Sequence, residues 1–167
     1  MNKNLENAVQ IVKKGGIIIF PTDTTFVIGC RIDNKRAVEK LFDIRKRPKD
    51  KAVLVLVDSE EMAGKYLKAI PKEVKEKLTD RYWPGGLTIV LPCIEKKVPG
   101  LVRGGGKNLG VRMPGHQTVR QLIKKLGVPI LGPSANFSGQ KTPYKMSDLD
   151  PKLVELVDFV LPGRCKI

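Results

Sequence analysis

The chain predicts an α/β (α+β) fold, with a twisted sheet of mixed parallel and antiparallel strands flanked by helices. Helix and strand signals alternate from end to end, the pattern of a sheet covered by helices. The strand-like runs are short, and several connections are too brief for a helical crossover, so some neighbours must run antiparallel. The chain has 167 residues, 41% of them hydrophobic. That suits one folded domain spanning residues 1–167. Aromatic residues make up only 5%, so Val, Ile, Leu and Ala are expected to build the core.

The elements follow in order. Leu5, Ala8, Val9 and Val12 share one helical face over 5–14, and Gly15-Gly16 stops the helix. Ile17 to Phe20 reads as a buried strand ended by Pro21. Asn34 caps a second helix with Ala37, Val38, Leu41, Phe42 and Ile44 inward, closed by Pro48. Ala52 to Val57 is apolar on both faces and reads as a fully buried strand. Ser59 caps a third helix through Leu67, and Pro71 opens a fourth that ends near Tyr82. Leu87 to Leu91 is a strand. A basic, Gly-rich loop over 96–108 follows, expected to be flexible. Gly110 to Met113 is a strand, Gln117 to Leu126 a helix, and Pro129 to Leu131 a strand. Asp150-Pro151 starts the last helix, and Val157 to Leu161 is the final strand.

Charge and cysteines narrow the chemistry. The formal net charge is +14, a field that draws anions such as nucleotides or nucleic acid. Cys30, Cys93 and Cys165 are far apart and odd in number, against a disulfide framework or a zinc site, and free thiols suit a reducing cytoplasm. A single histidine, His116, argues against a His-based metal centre. It reads as a loop or helix-start residue and not as a general base. No apolar run reaches membrane-spanning length. Gly104-Gly105-Gly106-Lys107 fails as a phosphate loop, because Leu101 and Asn108 stand where Gly and Ser or Thr belong. Tyr82 and Trp83 read as packing residues under a Pro-Gly turn.

Three segments carry chemistry. Pro21-Thr22-Asp23-Thr24-Thr25 follows a buried strand, at the sheet edge where α/β sites are built. Arg45-Lys46-Arg47-Pro48-Lys49-Asp50-Lys51 puts cations at a helix end and before a strand, and Arg forks suit phosphate. Gly132-Pro133-Ser134-Ala135-Asn136-Phe137-Ser138-Gly139 offers small donors and acceptors after a strand. Taken singly, the first and third are equally polar turns, and the second is equally a helix-dipole complement.

Together, Phe20 to Thr25, Arg45 to Pro48, Tyr82-Trp-Pro-Gly-Gly-Leu-Thr88, Gly110-Val-Arg-Met-Pro114 and Pro133 to Gly139 resemble the YrdC-like family of threonylcarbamoyl-AMP synthases (TsaC-like). The likeness covers nearly the whole chain. It implies a concave basic cavity in the sheet and a nucleotidyltransferase reaction. L-threonine, bicarbonate and ATP, with Mg²⁺, would give threonylcarbamoyl-AMP and pyrophosphate. The product would pass to a downstream threonylcarbamoyl transferase for t6A modification of tRNA at position 37. The resemblance implies roles for residues. Arg45, Arg47, Ser134 and Asn136 would be catalytic. Arg47, Lys51, Asn108, Ser134 and Thr142 would bind ATP. Thr24, Arg112 and Gly132 would bind threonine, and no protein metal ligand is identified.

The chain departs from the family at Arg45, where Lys is usual, and at Phe26-Val27, where Tyr-Gly is usual. The family's usual C-terminal closing strand is expected to be absent after Gly163 to Ile167. Two other readings stay open. One is a non-catalytic module of the same fold that contacts tRNA or double-stranded RNA. The other is a diverged ATP-dependent carbamoyl-transfer paralogue.

Overall fold

A computed structural model describes residues 2–166. Helix α1 (Lys3–Lys13) starts where the Asn2 side chain accepts from the amides of Asn4 and Leu5, and it buries Leu5, Ala8, Val9 and Val12. Strand β1 (Ile18–Pro21) is buried throughout and runs antiparallel to β2 (Phe26–Gly29), with Ile19 opposite Ile28. Strand β2 was missed in the sequence, where Phe26 to Gly29 was assigned to no element. Pro21 is the last residue of β1, as expected, and pairs with Phe26.

Asn34 caps α2 (Lys35–Arg45) through its side chain, as expected. The helix closes before Pro48, at Lys46, whose φ of 53° is left-handed. Strand β3 (Val55–Leu56) is shorter than the expected 52–57 run, and Ala52 is exposed. Ser59 caps α3 (Glu60–Gly64). The single helix expected from Pro71 is instead α4 (Lys72–Val74), a wide π turn (Lys75–Thr79) and α5 (Asp80–Tyr82). Tyr82 is exposed, so of the Tyr82-Trp83 pair only Trp83 packs inward, its indole N–H donating to the Leu87 carbonyl at 2.8 Å.

Strands β4 (Thr88–Pro92) and β5 (Asn108–Arg112) pair antiparallel, with α6 (Gln117–Leu126) and β6 (Ile130–Leu131) after them. A 3₁₀ turn (Met146–Asp148), α7 (Pro151–Leu156) capped by Asp150, and β7 (Phe159–Val160) complete the described chain. The loop expected to be flexible is tied down. Arg103 donates to the Val98 and Gly106 carbonyls, and Gly104, at φ +60°, lies so close to Ala52 that a Cβ would stand 2.6 Å from its amide nitrogen.

Two mixed sheets form instead of one. Their orders are β2-β1-β7 and β4-β5-β3-β6, with β1–β7 and β3–β5 parallel. The 129–135 segment stitches them together. Leu131 donates to Cys30 and Ile28 to Pro133, both at 2.9 Å, and Val27 lies opposite Ser134. Helix α1 packs on α6, and α2 on α7. The core is mainly aliphatic, with Phe20, Phe26 and Phe42 fully buried. No helix among the described residues is long and apolar enough to cross a membrane. Cys30 and Cys93 are buried free thiols, and burial pushes Cys30 up to about 12.

The seam between the sheets depends on Gly29. A Cβ there would sit 2.3 Å from the Leu131 carbonyl oxygen and 2.9 Å from Phe20. Gly29→Ala must push β2 away from the 130–131 backbone. We expect it to cost about 2–3 kcal/mol in urea unfolding, the range of overpacking in a tight core. A cost under about 0.5 kcal/mol, the level of ordinary surface changes, would show that the seam is not tight.

Candidate functional site

The first half of the site grows from the turn after β1. Thr22 is fully buried, and its hydroxyl accepts from the amides of Thr24 and Thr25, both at 3.1 Å, while donating to the Thr25 carbonyl at 2.8 Å. One hydroxyl therefore holds the whole turn, with Asp23 and Thr24 turned toward Arg112. Arg112, the last residue of β5, meets them. Its Nε donates to the Gly85 carbonyl and one Nη to Thr24 Oγ1, both at 2.9 Å, and the other Nη pairs with Asp23. The Arg112 and Asp23 side chains are 7% and 12% exposed, so this is a mostly buried ion pair. Thr24 and Arg112, named together from the sequence, are in contact. Their partners Asp23 and Gly85 were missed as site residues, although Asp23 stands inside the motif as an acid in a basic chain.

Residues 163–166 run across this turn. Gly163 packs on the Pro21 ring, the Lys166 amide donates to the Asp23 carbonyl at 3.3 Å, and His116 Nε2 lies 3.3 Å from the Arg164 carbonyl. His116 occupies the N-cap position of α6 without a side-chain cap bond, and burial is the main cause of its lowered pKa. It is a helix-start residue, as expected.

The second half forms where the 133–139 loop wraps the end of α2. Arg45 is 4% exposed. Its Nε and one Nη donate to the Asn136 carbonyl and side-chain oxygen, both at 3.1 Å. Ser134 Oγ donates to the same Asn136 oxygen at 3.0 Å, and the Asn136 amide donates to the Gln140 carbonyl at 2.8 Å. The Ser138 amide bonds the Arg45 carbonyl, and Lys46 sits over the Phe137 ring at 5.3 Å. Arg45, Ser134 and Asn136 are thus one cluster. Its cation has no carboxylate, and the remaining Nη is buried without a partner. Burial, with Arg47 adding repulsion, lowers Arg45 to about 10, so it stays charged at neutral pH. A buried cation with a spare donor is built to receive an anion.

Arg47 is half-buried and donates to the carbonyls of Lys51 and Ala52, and burial lowers its pKa. Lys51 is exposed beside it. Asn108 is exposed at the start of β5, about 13 Å from Arg112 at the usual strand rise. It lines a shallow hollow of about 330 Å³ with Ala52 and Lys107, on the Arg47 side of the molecule. Thr142 is half-buried next to Pro143, whose carbonyl accepts from Phe26. Gly132 is buried. Its amide donates to Leu54, and a Cβ there would stand 2.6 Å from Leu56, so close packing demands the glycine. Among the described residues no cluster of three His, Cys, Asp or Glu side chains is placed to hold a metal.

The largest hollow described, about 770 Å³, lies against Asp33, Lys35, Tyr66 and Arg103 near the other end of α2. It shares no residue with the motif loops. The buried charges lie at the loops, and the chemistry is assigned there. Both halves hang on β2: the Thr turn precedes it, and Ala135 and Pro143 bond Phe26.

The Sua5/YciO/YrdC family model, described as telomere recombination, matches residues 10–167. The threonylcarbamoyl-AMP synthase of Pyrococcus abyssi is 38% identical over 156 residues, which cover 93% of this chain and 45% of that protein. That of Marinobacter nauticus is 31% identical, covering 93% of this chain and 82% of that protein. The crystal structure of P. abyssi Sua5 complexed with L-threonine superposes with a TM-score of 0.88 at 32% identity, covering 98% of this chain and 48% of that one. The chain spans about half the length of the P. abyssi relative.

Proposed function

The chain belongs to the Sua5/YciO/YrdC family, and from that premise we propose that it makes threonylcarbamoyl-AMP from L-threonine, bicarbonate and ATP, releasing pyrophosphate. The observation that carries the proposal is the pair of buried arginines flanking one strand, Arg112 on Thr24 and Arg45 on Asn136. One suits a carboxylate and the other a phosphate. The relative that was solved with L-threonine supports the first assignment.

In this reading Arg112 and Thr24 hold the threonine carboxylate. The threonine amine bonds the bicarbonate carbon and water leaves; an oxygen of the resulting carbamate attacks the α-phosphorus in line, and the bond to the oxygen bridging to the β-phosphate breaks, releasing pyrophosphate. Arg45, with Ser134 and Asn136 fixing its fork, neutralises charge on the phosphates. Arg47 and Lys51 extend that positive rim, and Asn108 and Thr142 would touch the nucleotide at its margins. Gly132 serves the threonine side by letting β6 close on β3. Mg²⁺, held by the triphosphate itself, would screen the phosphate charge. Such chemistry needs placement and charge neutralisation more than a strong base. The product would be handed to a threonylcarbamoyl transferase acting on tRNA, and the +14 charge favours contact with that polyanion.

The test is pyrophosphate release from ATP with the purified chain. We expect release only when threonine and bicarbonate are both present. Release that ignores threonine, or that runs on carbamoyl phosphate instead, would sink the proposal.

A further inference from the structure

The reaction above gives Asp23 no part, yet its carboxylate rests on the guanidinium assigned to the substrate. A guanidinium has five N–H donors. On Arg112, Gly85, Thr24 and Asp23 each take one. Two remain, enough for one more carboxylate. A ligand bound there through a carboxylate alone would bring a second anion beside Asp23 on the same cation, and like charges so close repel. The ligand removes that repulsion by carrying its own cation one carbon from its carboxylate.

The turn also fixes where Asp23 stands. The buried Thr22 hydroxyl ties the amides on either side of the Thr24 peptide, so the Asp23 backbone is anchored. Oδ1 is committed to Arg112. Oδ2 faces Gly115, where a Cβ would stand 3.1 Å away. The glycine keeps that oxygen uncrowded, leaving it to accept from a donor brought by the ligand.

We infer that Asp23 is a specificity-determining residue that recognises the α-ammonium of the incoming amino acid, while Arg112 takes the carboxylate. The inference rests on the reading of threonine as substrate. The site then selects zwitterionic α-amino acids over hydroxy acids of the same shape.

The probes are L-threonine and 3-hydroxybutyrate, which keeps the carboxylate and hydroxyl but has no amine. Titration calorimetry on the whole chain should show wild type preferring threonine by about ten- to a hundredfold, the usual weight of a charge-assisted hydrogen bond. Asp23→Asn should bring that preference close to one, and Asp23→Glu should retain most of it. Equal weakening of both ligands in Asp23→Asn would overturn the inference, because Asp23 would then only prop Arg112. Wild type that binds both ligands equally would overturn it without any variant, while leaving the carboxylate site standing. Wild type that binds neither would bring down the threonine reading as well.

Discussion

Arg112→Met is expected to lose about 3 kcal/mol of stability, because it strands a mostly buried carboxylate. For a chain of this size that lowers Tm by about 6–12 °C. Threonine-dependent pyrophosphate release should fall by at least about a hundredfold, since the variant removes the cation that both Asp23 and the substrate use. The two effects separate in a double variant. Asp23→Asn with Arg112→Met leaves no unpaired charge, so it should recover part of the stability, with a coupling energy of about 1–3 kcal/mol. It should recover none of the activity. Unfolding curves and single-turnover assays on the four proteins decide this. A double variant no more stable than Arg112→Met alone would mean that the ion pair does not hold the turn.

Asn136→Asp tests the other half, and its two readouts should move in opposite directions. Asn136 Oδ1 accepts from both Arg45 and Ser134. A carboxylate there keeps those acceptor contacts and gives Arg45 the counter-charge it lacks. It gives up the donor to the Gln140 carbonyl, worth about 1 kcal/mol. The new ion pair outweighs that, so Tm should hold or rise. ATP use should fall by about a hundredfold or more, because the cation meant for phosphate is already neutralised. Asn136→Ala should instead lose about 2–4 kcal/mol, since it orphans several groups at once. Unchanged ATP affinity in Asn136→Asp would remove Arg45 from the nucleotide site.

What the sequence revealed follows from how local each signal is. The caps at Asn34, Ser59 and Asp150 were legible because a cap needs only a side chain and the next turn. So was the apolar face of Gln117–Leu126. Strand β2 was not, because four apolar residues after a threonine turn carry no strand signal stronger than the turn before them. Its identity comes from partners at Ile18 to Pro21 and near 133–143, far away in sequence. The break at Lys75–Thr79 was hidden too, since no Gly or Pro marks it. Trp83 packs as its apolar body suggests, but its neighbour Tyr82 faces outward at the end of α5.

At the site, Thr24, Arg45, Ser134 and Asn136 were legible as polar or basic residues at strand and helix ends, and Arg112 through the family resemblance. Which of them touch was not. That Arg45 shares Asn136 with Ser134, and that Arg112 reaches Asp23, depends on β5 and the 133–139 loop arriving beside β2. Asn108, like Thr142 and Gly132, was named through the family resemblance, and it stands exposed at the start of β5.

Strand β2 carries a further consequence. It is roped to the 129–143 segment on one side and to β1 on the other, and both halves of the site meet at its Phe26 end. A ligand that pulls one half into shape must therefore shift the frame of the other. Thermodynamic linkage makes that exchange reciprocal: whatever factor threonine applies to nucleotide affinity, the nucleotide applies to threonine affinity. Order of addition then cannot change the energy of the loaded protein, only the route to it.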